Sequence, residues 1–367
     1  MNKHIIHLQS GMGDSGGISN YISLLVKSRN LENISQKVVV QEMNKKTLKL
    51  YPKNQLIIFD TKYNFFNLKN NATKLKNNLD NINFYVINSH ALRSGLLAAL
   101  INLFYGKKYI HTNHGLRFTQ KKGLKKIYFF LIEIFVLILS EEYICIRNVD
   151  YFLMKRFLPR ILNEKIKIIR LHLDPKVNIN EVDILSKFKS PFRIYGIGSL
   201  IDVKNPKLFI NFISLLKKNR IDVEAFWIGD GILKKELITL TKDKELNINW
   251  MGHLDKDDVL RHLSKATYLL QTSIFEVYPT VVLESLLFGT PIITTNYFGV
   301  DELIQDFQNG IILKGDKFDE RKIISMFQDE NQYVAMSNSC KNQFFSLHQN
   351  HKFTADFYRK IYKKLMD

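Results

Sequence analysis

The residues best suited to do chemistry are Glu276 and Glu284, eight positions apart in the stretch Thr272 to Pro291, TSIFEVYPTVVLESLLFGTP. Apolar residues at Val281, Val282, Leu283, Leu286 and Leu287 predict a buried helix that begins near Pro279. Proline is tolerated in a first helical turn because that N–H has no partner in the helix anyway. Glu276 then falls on the loop before the helix and Glu284 inside it. Free backbone N–H groups and the dipole make such a helix start favourable to a phosphate, and carboxylates beside it can accept hydrogen bonds from sugar hydroxyls. Residue types alone leave a second reading open, in which Glu276 is a capping acid and Glu284 a solvated helix residue.

Positioning these side chains requires a scaffold, and the rest of the chain supplies its pattern. Short apolar runs alternate with helical stretches. His4–Leu8, Val38–Gln41, Phe84–Asn88, Tyr109–Thr112 and Tyr143–Ile146 read as strands, with helices over Ile18–Ser28, Leu92–Tyr105 and Leu124–Leu139. A polar stretch from Leu171 to Ser190, before Pro191, reads as a linker. The alternation then restarts with strands Arg193–Ile197, Glu224–Ile228, Asn249–Met251, Tyr268–Gln271 and Ile292–Thr295. Helices over Asn205–Lys218, Ile232–Lys242, Asp257–Lys265 and Val281–Phe288 separate them. Such alternation implies βαβ units and parallel, doubly wound sheets. The expected architecture is α/β, with two Rossmann-like domains facing a cleft and ligands beyond the carboxyl ends of the strands. The expected boundaries are 1–175, 176–340 and a closing segment 341–367.

Glycines mark three turns of the second half. Gly196-Ile-Gly198 follows a strand and leads to Lys204; Gly229-Asp230-Gly231 follows another and opens a helix; Gly289-Thr-Pro291 ends the glutamate helix. Each is weak alone, since glycines at such turns are often merely geometric. Their order and spacing together are specific. Residues 191–313 resemble the donor domain of glycosyltransferase family 4, a retaining family with the GT-B fold. Glu276 and Glu284 match the family's E-x7-E motif, and Gly198 through Lys204 match its glycine-lysine loop. Phe345-Ser346 and the run Phe357 to Tyr362 are similar to a terminal helix that crosses back onto the first domain.

The resemblance implies that Glu276 holds hydroxyls of the transferred sugar and Glu284 the nucleotide ribose. It implies that Lys204 neutralises the diphosphate as it leaves. Gly198, Ser199, Gly229 and Thr280 complete the implied donor pocket, with Gly16 and Gly17 matching the family's glycine loop at the start of the first helix. His114, in HTNHGLR, matches the histidine near the reacting sugar, and His90, in NSHALRSG, is a secondary candidate. No metal or cofactor is implied beyond the nucleotide sugar itself. The cluster Asp255-Lys256-Asp257-Asp258 fits capping of the following helix better than metal ligation.

Departures from the pattern are instructive. Ser199 stands where the family usually pairs its lysine with an arginine, and a hydroxyl cannot replace a guanidinium fork on a diphosphate. Arg117, which follows His114-Gly115, is the cation expected to compensate. Val277, Tyr278 and Pro279 replace the usual small residues after the first glutamate, and Phe298 replaces a glycine before Glu302.

The net charge of +18 is unevenly spread: residues 1–175 carry 27 Lys/Arg against 11 Asp/Glu, whereas 176–340 carry 20 against 22. That asymmetry points to an anionic partner for the first half. No recognised nucleic-acid module or aromatic-basic motif accompanies it, so nucleic acid is not expected. The run Lys121-Lys122-Gly123-Leu124-Lys125-Lys126 leads into thirteen largely apolar residues, Ile127 to Leu139, too few to span a bilayer. A helix apolar on all faces is expected in the core, while its basic start suits anionic lipid. Cys145 and Cys340, lacking metal-ligand spacing, and an N-terminus without a signal-like apolar stretch point to a cytoplasmic protein, peripheral on the inner face of the membrane.

The resulting expectation is retaining transfer of a hexose or N-acetylhexosamine from a nucleotide diphosphate sugar, UDP ahead of GDP. The acceptor is a hydroxyl of a glycan or lipid-linked glycan in surface polysaccharide assembly. A GT-B sugar-nucleotide epimerase, an inverting transferase and a sugar-nucleotide-binding scaffold stay open as alternatives.

Overall fold

A computed structural model describes residues 4–9, 16–28, 34–41, 51–59, 68–80, 82, 84–170, 183–315, 318–348 and 351–366. The chain divides into two compact units, Met1–His172 with Asn350–Asp367, and Leu173–Gln349.

Unit 1 is built on a parallel sheet of seven strands: β1 (His4–Gln9), β2 (Gln36–Gln41), β3 (Leu56–Phe59), β4 (Phe84–His90), β5 (Tyr109–Asn113), β6 (Tyr143–Cys145) and β7 (Ile166–Ile168). Their order is β3-β2-β1-β4-β5-β6-β7. The order reverses between β1 and β4, which is where a doubly wound sheet opens a crevice at its carboxyl edge. Both faces are covered, so β1, β4 and β5 read as almost unbroken buried runs. The helix Ala91–Tyr105 packs on this sheet and on the helix Gly123–Leu139.

Unit 2 repeats the plan with six strands: β8 (Phe192–Ile197), β9 (Val223–Ile228), β10 (Ile248–Gly252), β11 (Tyr268–Gln271), β12 (Ile292–Thr295) and β13 (Gly310–Leu313). The order β10-β9-β8-β11-β12-β13 places its switch between β8 and β11. Phe209, Phe212, Trp227, Tyr268 and Ile293 lie in its core.

The helix Glu330–His348 runs straight through residue 341 and belongs to unit 2, so the closing segment begins later than the residue pattern suggested. Within unit 2, Ser337 and Cys340 of this helix bond the carbonyls of Gly289 and Asn309. The tail that returns to unit 1 is the helix His351–Met366, packed against β4. The Tyr358 hydroxyl bonds those of Tyr21 and Thr112, each at 2.9 Å, and Asn88 donates to the Tyr362 hydroxyl at 2.8 Å. Both tyrosines are fully buried. The linker expected over Leu171–Ser190 lies outside the described residues up to 182. Beyond that, Lys187 is buried in unit 2, donating to the Phe288 carbonyl and the Thr290 hydroxyl.

The helix Gly123–Leu139 meets the expectation of core packing along one face only, where Phe129, Phe130, Ile132, Ile134, Phe135 and Leu139 pack on the core of unit 1. Only Glu133, Val136 and Leu137 are buried, whereas Leu124 is 84% exposed, Leu131 60% and Ile127 56%. Its one acid points inward. Glu133 accepts from the Tyr143 hydroxyl at 2.7 Å and from Asn113 at 3.3 Å, and burial pushes its carboxyl up to about 7. Among the described residues, no helix is long and apolar enough to cross a membrane.

Candidate functional site

In unit 2 the sequence-selected residues gather at the carboxyl ends of β8 and β11, on either side of the switch. β8 ends at Ile197, and Gly198 donates its N–H to the Ile228 carbonyl at 2.9 Å while its own carbonyl accepts from the Trp227 indole at 3.0 Å. A Cβ on Gly198 would touch the Lys204 stem at 3.3 Å, so the glycine leaves that stem its path. Ser199 is exposed. A short 3-10 turn over Asp202–Lys204 then ends at Asn205, whose φ of 45° swings the chain into the helix Pro206–Lys218. The turn is tied to the loop after β11: the Thr272 hydroxyl donates to the Lys204 carbonyl and the Ile274 N–H to the Val203 carbonyl, both at 2.8 Å.

That stitching brings Lys204 onto Glu276. The ammonium pairs with Glu276 Oε1, which also accepts from the Ser273 hydroxyl at 2.7 Å. The helix Thr280–Leu287 starts after Pro279 at its N-cap position, so Glu276 sits ahead of the cap, in a charge pair. Glu284 is buried rather than solvated. Burial raises its carboxyl pKa, opposed by Lys256 and by the Thr280 hydroxyl one turn earlier. The Lys256 ammonium pairs with Glu284 Oε1 while its side chain stays 52% exposed. Lys256 was missed in the sequence because it lay among acids read as caps. Asp255 does cap, accepting from the Asp258 N–H at 2.9 Å. The unit thus holds Glu276 and Glu284 each already partnered by a lysine. Gly229 is pressed against the Gly198 carbonyl and donates to the Gly252 carbonyl at 2.7 Å.

In unit 1, His90 closes β4 and Ala91, at φ 66°, makes the sharp turn into the next helix. His90 Nδ1 lies 3.2 Å from His114 Nε2, and His90 Nε2 lies 3.1 Å from His7 Nδ1. Burial pushes the pKa of His114 down to about 3 and that of His7 to about 4, and that of His90 well below the usual histidine range. His7 was not singled out in the sequence, where nothing but its place on an apolar strand marks it. Gly16 begins the first helix, and Gly17 is exposed with nothing within 4 Å of an added Cβ; the preceding residues 10–15 lie outside the described set. Arg117 is exposed at the head of a 3-10 turn, Arg117–Gln120.

Residues 179–343 match the family model described as glycosyl transferases group 1. A Campylobacter jejuni enzyme, GalNAc-alpha-(1->4)-GalNAc-alpha-(1->3)-diNAcBac-PP-undecaprenol alpha-1,4-N-acetyl-D-galactosaminyltransferase, is 31% identical over 48% of this chain and 50% of its own length. The chain thus spans about half of that relative. An Escherichia coli enzyme, UDP-Gal:alpha-D-GlcNAc-diphosphoundecaprenol alpha-1,3-galactosyltransferase, is 24% identical over 70% of each chain. Anabaena HepE, solved in complex with UDP and glucose, superposes with a TM-score of 0.79 at 14% identity, covering 99% of this chain and 100% of its own. The fold is therefore that of GT-B glycosyltransferases, and residues 179–343 are a glycosyl transferases group 1 domain.

Proposed function

We propose that the protein is a retaining glycosyltransferase that moves a hexose or N-acetylhexosamine from a UDP-sugar to a hydroxyl of a lipid-linked glycan in surface polysaccharide assembly. The observation that carries this reading is the pair of lysine-held glutamates beside the β8/β11 switch. Glu276 orients the sugar through its hydroxyls, and Glu284 accepts from the ribose. Lys204 offsets the charge that develops on the departing diphosphate, worth most where water is excluded. Attack and departure occur on one face of the sugar, with the leaving phosphate taking the acceptor proton. In unit 1, His114 hydrogen-bonds a substrate hydroxyl. The names of both curated relatives, which act on undecaprenol diphosphate glycans, support this acceptor class. Purified protein supplied with UDP- and GDP-sugars and a synthetic polyprenyl-diphosphate glycan should form an α-linked product from a UDP-sugar. A β-linked product, or neither transfer nor donor hydrolysis, would overturn the assignment.

The same reading includes docking on an anionic membrane. Leu124, Ile127 and Leu131 project from a helix whose first turns also carry Lys125 and Lys126. Apolar side chains flanked by lysines suit a headgroup boundary, where each lysine contributes about 1 kcal/mol. Changing both lysines to glutamine should lower partitioning onto phosphatidylglycerol vesicles roughly thirtyfold at low salt. Equal co-sedimentation with neutral and anionic vesicles would count against docking.

A further inference from the structure

Behind His114, unit 1 contains a line of buried groups, Gln36, His7 and His90, that the reaction above does not use. Gln36, at the start of β2, places its side-chain carbonyl 2.8 Å from His7 Nε2. His7 Nδ1 is 3.1 Å from His90 Nε2, and His90 Nδ1 is 3.2 Å from His114 Nε2. Gln36 is 3% exposed, His7 and His90 are fully buried, and His114 alone reaches solvent in part. The edges of Tyr362 and Tyr21 wall the line, with ring centroids 6.3 Å from His7 and 5.1 Å from His114 respectively. The fourth nearby histidine, His111, is bonded instead to the Ser89 hydroxyl at 2.9 Å.

A neutral imidazole carries one N–H and one bare nitrogen, and each nitrogen–nitrogen contact has room for one proton. The depressed pKa values keep all three rings neutral at pH 7. The order of protons is then set from one end. With its carbonyl toward His7, Gln36 accepts from Nε2–H of that ring. His7 Nδ1 is bare and accepts from His90 Nε2–H. His90 Nδ1 is bare in turn and accepts from His114 Nε2–H. At the solvent end this leaves Nδ1 of His114 with a free lone pair.

We propose that Gln36 and His7 are positioning residues that act through His90 to hold His114 as the Nε2–H tautomer, its Nδ1 presented as an acceptor to a substrate hydroxyl. The proposal rests on the role given to His114 above. The arrangement is linear, each ring bonding the next, rather than convergent on a common point as metal ligands must be. It differs from simple packing because the far end responds to a change of chemistry two rings away.

The test is a long-range proton–nitrogen correlation spectrum of the full chain labelled with 15N-histidine at pH 7.5. The wild type should show a bare Nδ1 and a protonated Nε2 at His7, His90 and His114. In Gln36→Glu, a carboxylate draws a second proton onto His7, which must then donate from Nδ1 as well. His90 would accept at Nε2 and donate from Nδ1, and His114 should switch to its Nδ1–H tautomer. Turnover at subsaturating acceptor should fall about tenfold, the worth of one hydrogen bond. A protonated His114 Nδ1 in the wild type overturns the proposal, as does an unchanged His114 tautomer in folded Gln36→Glu. His114→Ala separates the two ideas. Unchanged turnover there, with the tautomers as expected, removes the role of His114 and hence its positioning by Gln36. Lost turnover with the wrong tautomers removes the positioning alone.

Discussion

Glu276→Ala lowers kcat by about two to three orders of magnitude, the range seen when one charge-stabilising contact is removed from a transition state. Two effects combine. The carboxylate proposed to accept from sugar hydroxyls is gone, and Lys204 loses the partner that holds it over Gly198. An ammonium on a four-carbon stem then samples many rotamers, and its proposed placement against the leaving phosphate is lost. Glu276→Gln keeps an acceptor oxygen but not the charge, so its loss should be smaller. Glu284→Ala should act differently, raising the donor KM roughly ten- to a hundredfold with a modest change in kcat, because the proposed ribose contact would be made equally in the ground and transition states. Steady-state kinetics on the three variants checks this. Full activity in both alanine variants would sink the site assignment.

Gly229→Ala destabilises unit 2 by about 3 kcal/mol or more, the sum expected from overpacking and backbone strain. The added Cβ would lie 2.0 Å from the Gly198 carbonyl oxygen, and neither group is the loose end of a side chain. The backbone φ of 137° is also one that side chains rarely adopt. Relief requires β8 and β9 to part at their carboxyl ends, which is where Gly198 begins its turn toward Lys204. The melting temperature should fall by roughly 6–12 °C. Gly17→Ala is the control, since its Cβ meets nothing within 4 Å. A Gly229→Ala protein melting within about 2 °C of wild type would show that the two turns are not braced against each other.

Most of the architecture was legible in the residues. β11 and β12 coincide with the expected Tyr268–Gln271 and Ile292–Thr295, because fully buried parallel strands are short apolar runs between turn residues. Among the elements not foreseen are the edge strands β3, β7 and β13 and the helices Leu68–Asp80, Asn148–Phe157, Glu320–Met326 and Glu330–His348. β3 and β13 are nonetheless apolar runs, LIIF and GIIL, whereas β7, IKI, is broken by Lys167; Ile58 of β3 is 56% exposed. In Leu68–Asp80, the buried stripe of Ala72, Leu75 and Leu79 is diluted by lysines and asparagines. The helix Gly123–Leu139 misled in the other direction, since hydrophobicity cannot distinguish a helix sunk in a core from one with its first turns against solvent.

The glutamate pair shows the same division. Spacing and residue type were enough to select Glu276 and Glu284 and the glycine turns, because helical period and turn chemistry act over a few neighbours. Which role each acid plays depends on groups far along the chain. Lys204 is 72 residues from Glu276, and Lys256 is 28 from Glu284. His7, His90 and Gln36 likewise meet only because β1 lies between β2 and β4. Sequence by itself determined the two Rossmann-like units, the turns that open them and the acids beside one turn. Tertiary structure alone decided which charges pair and which rings share protons, because those contacts are set by strand order and burial rather than by local pattern.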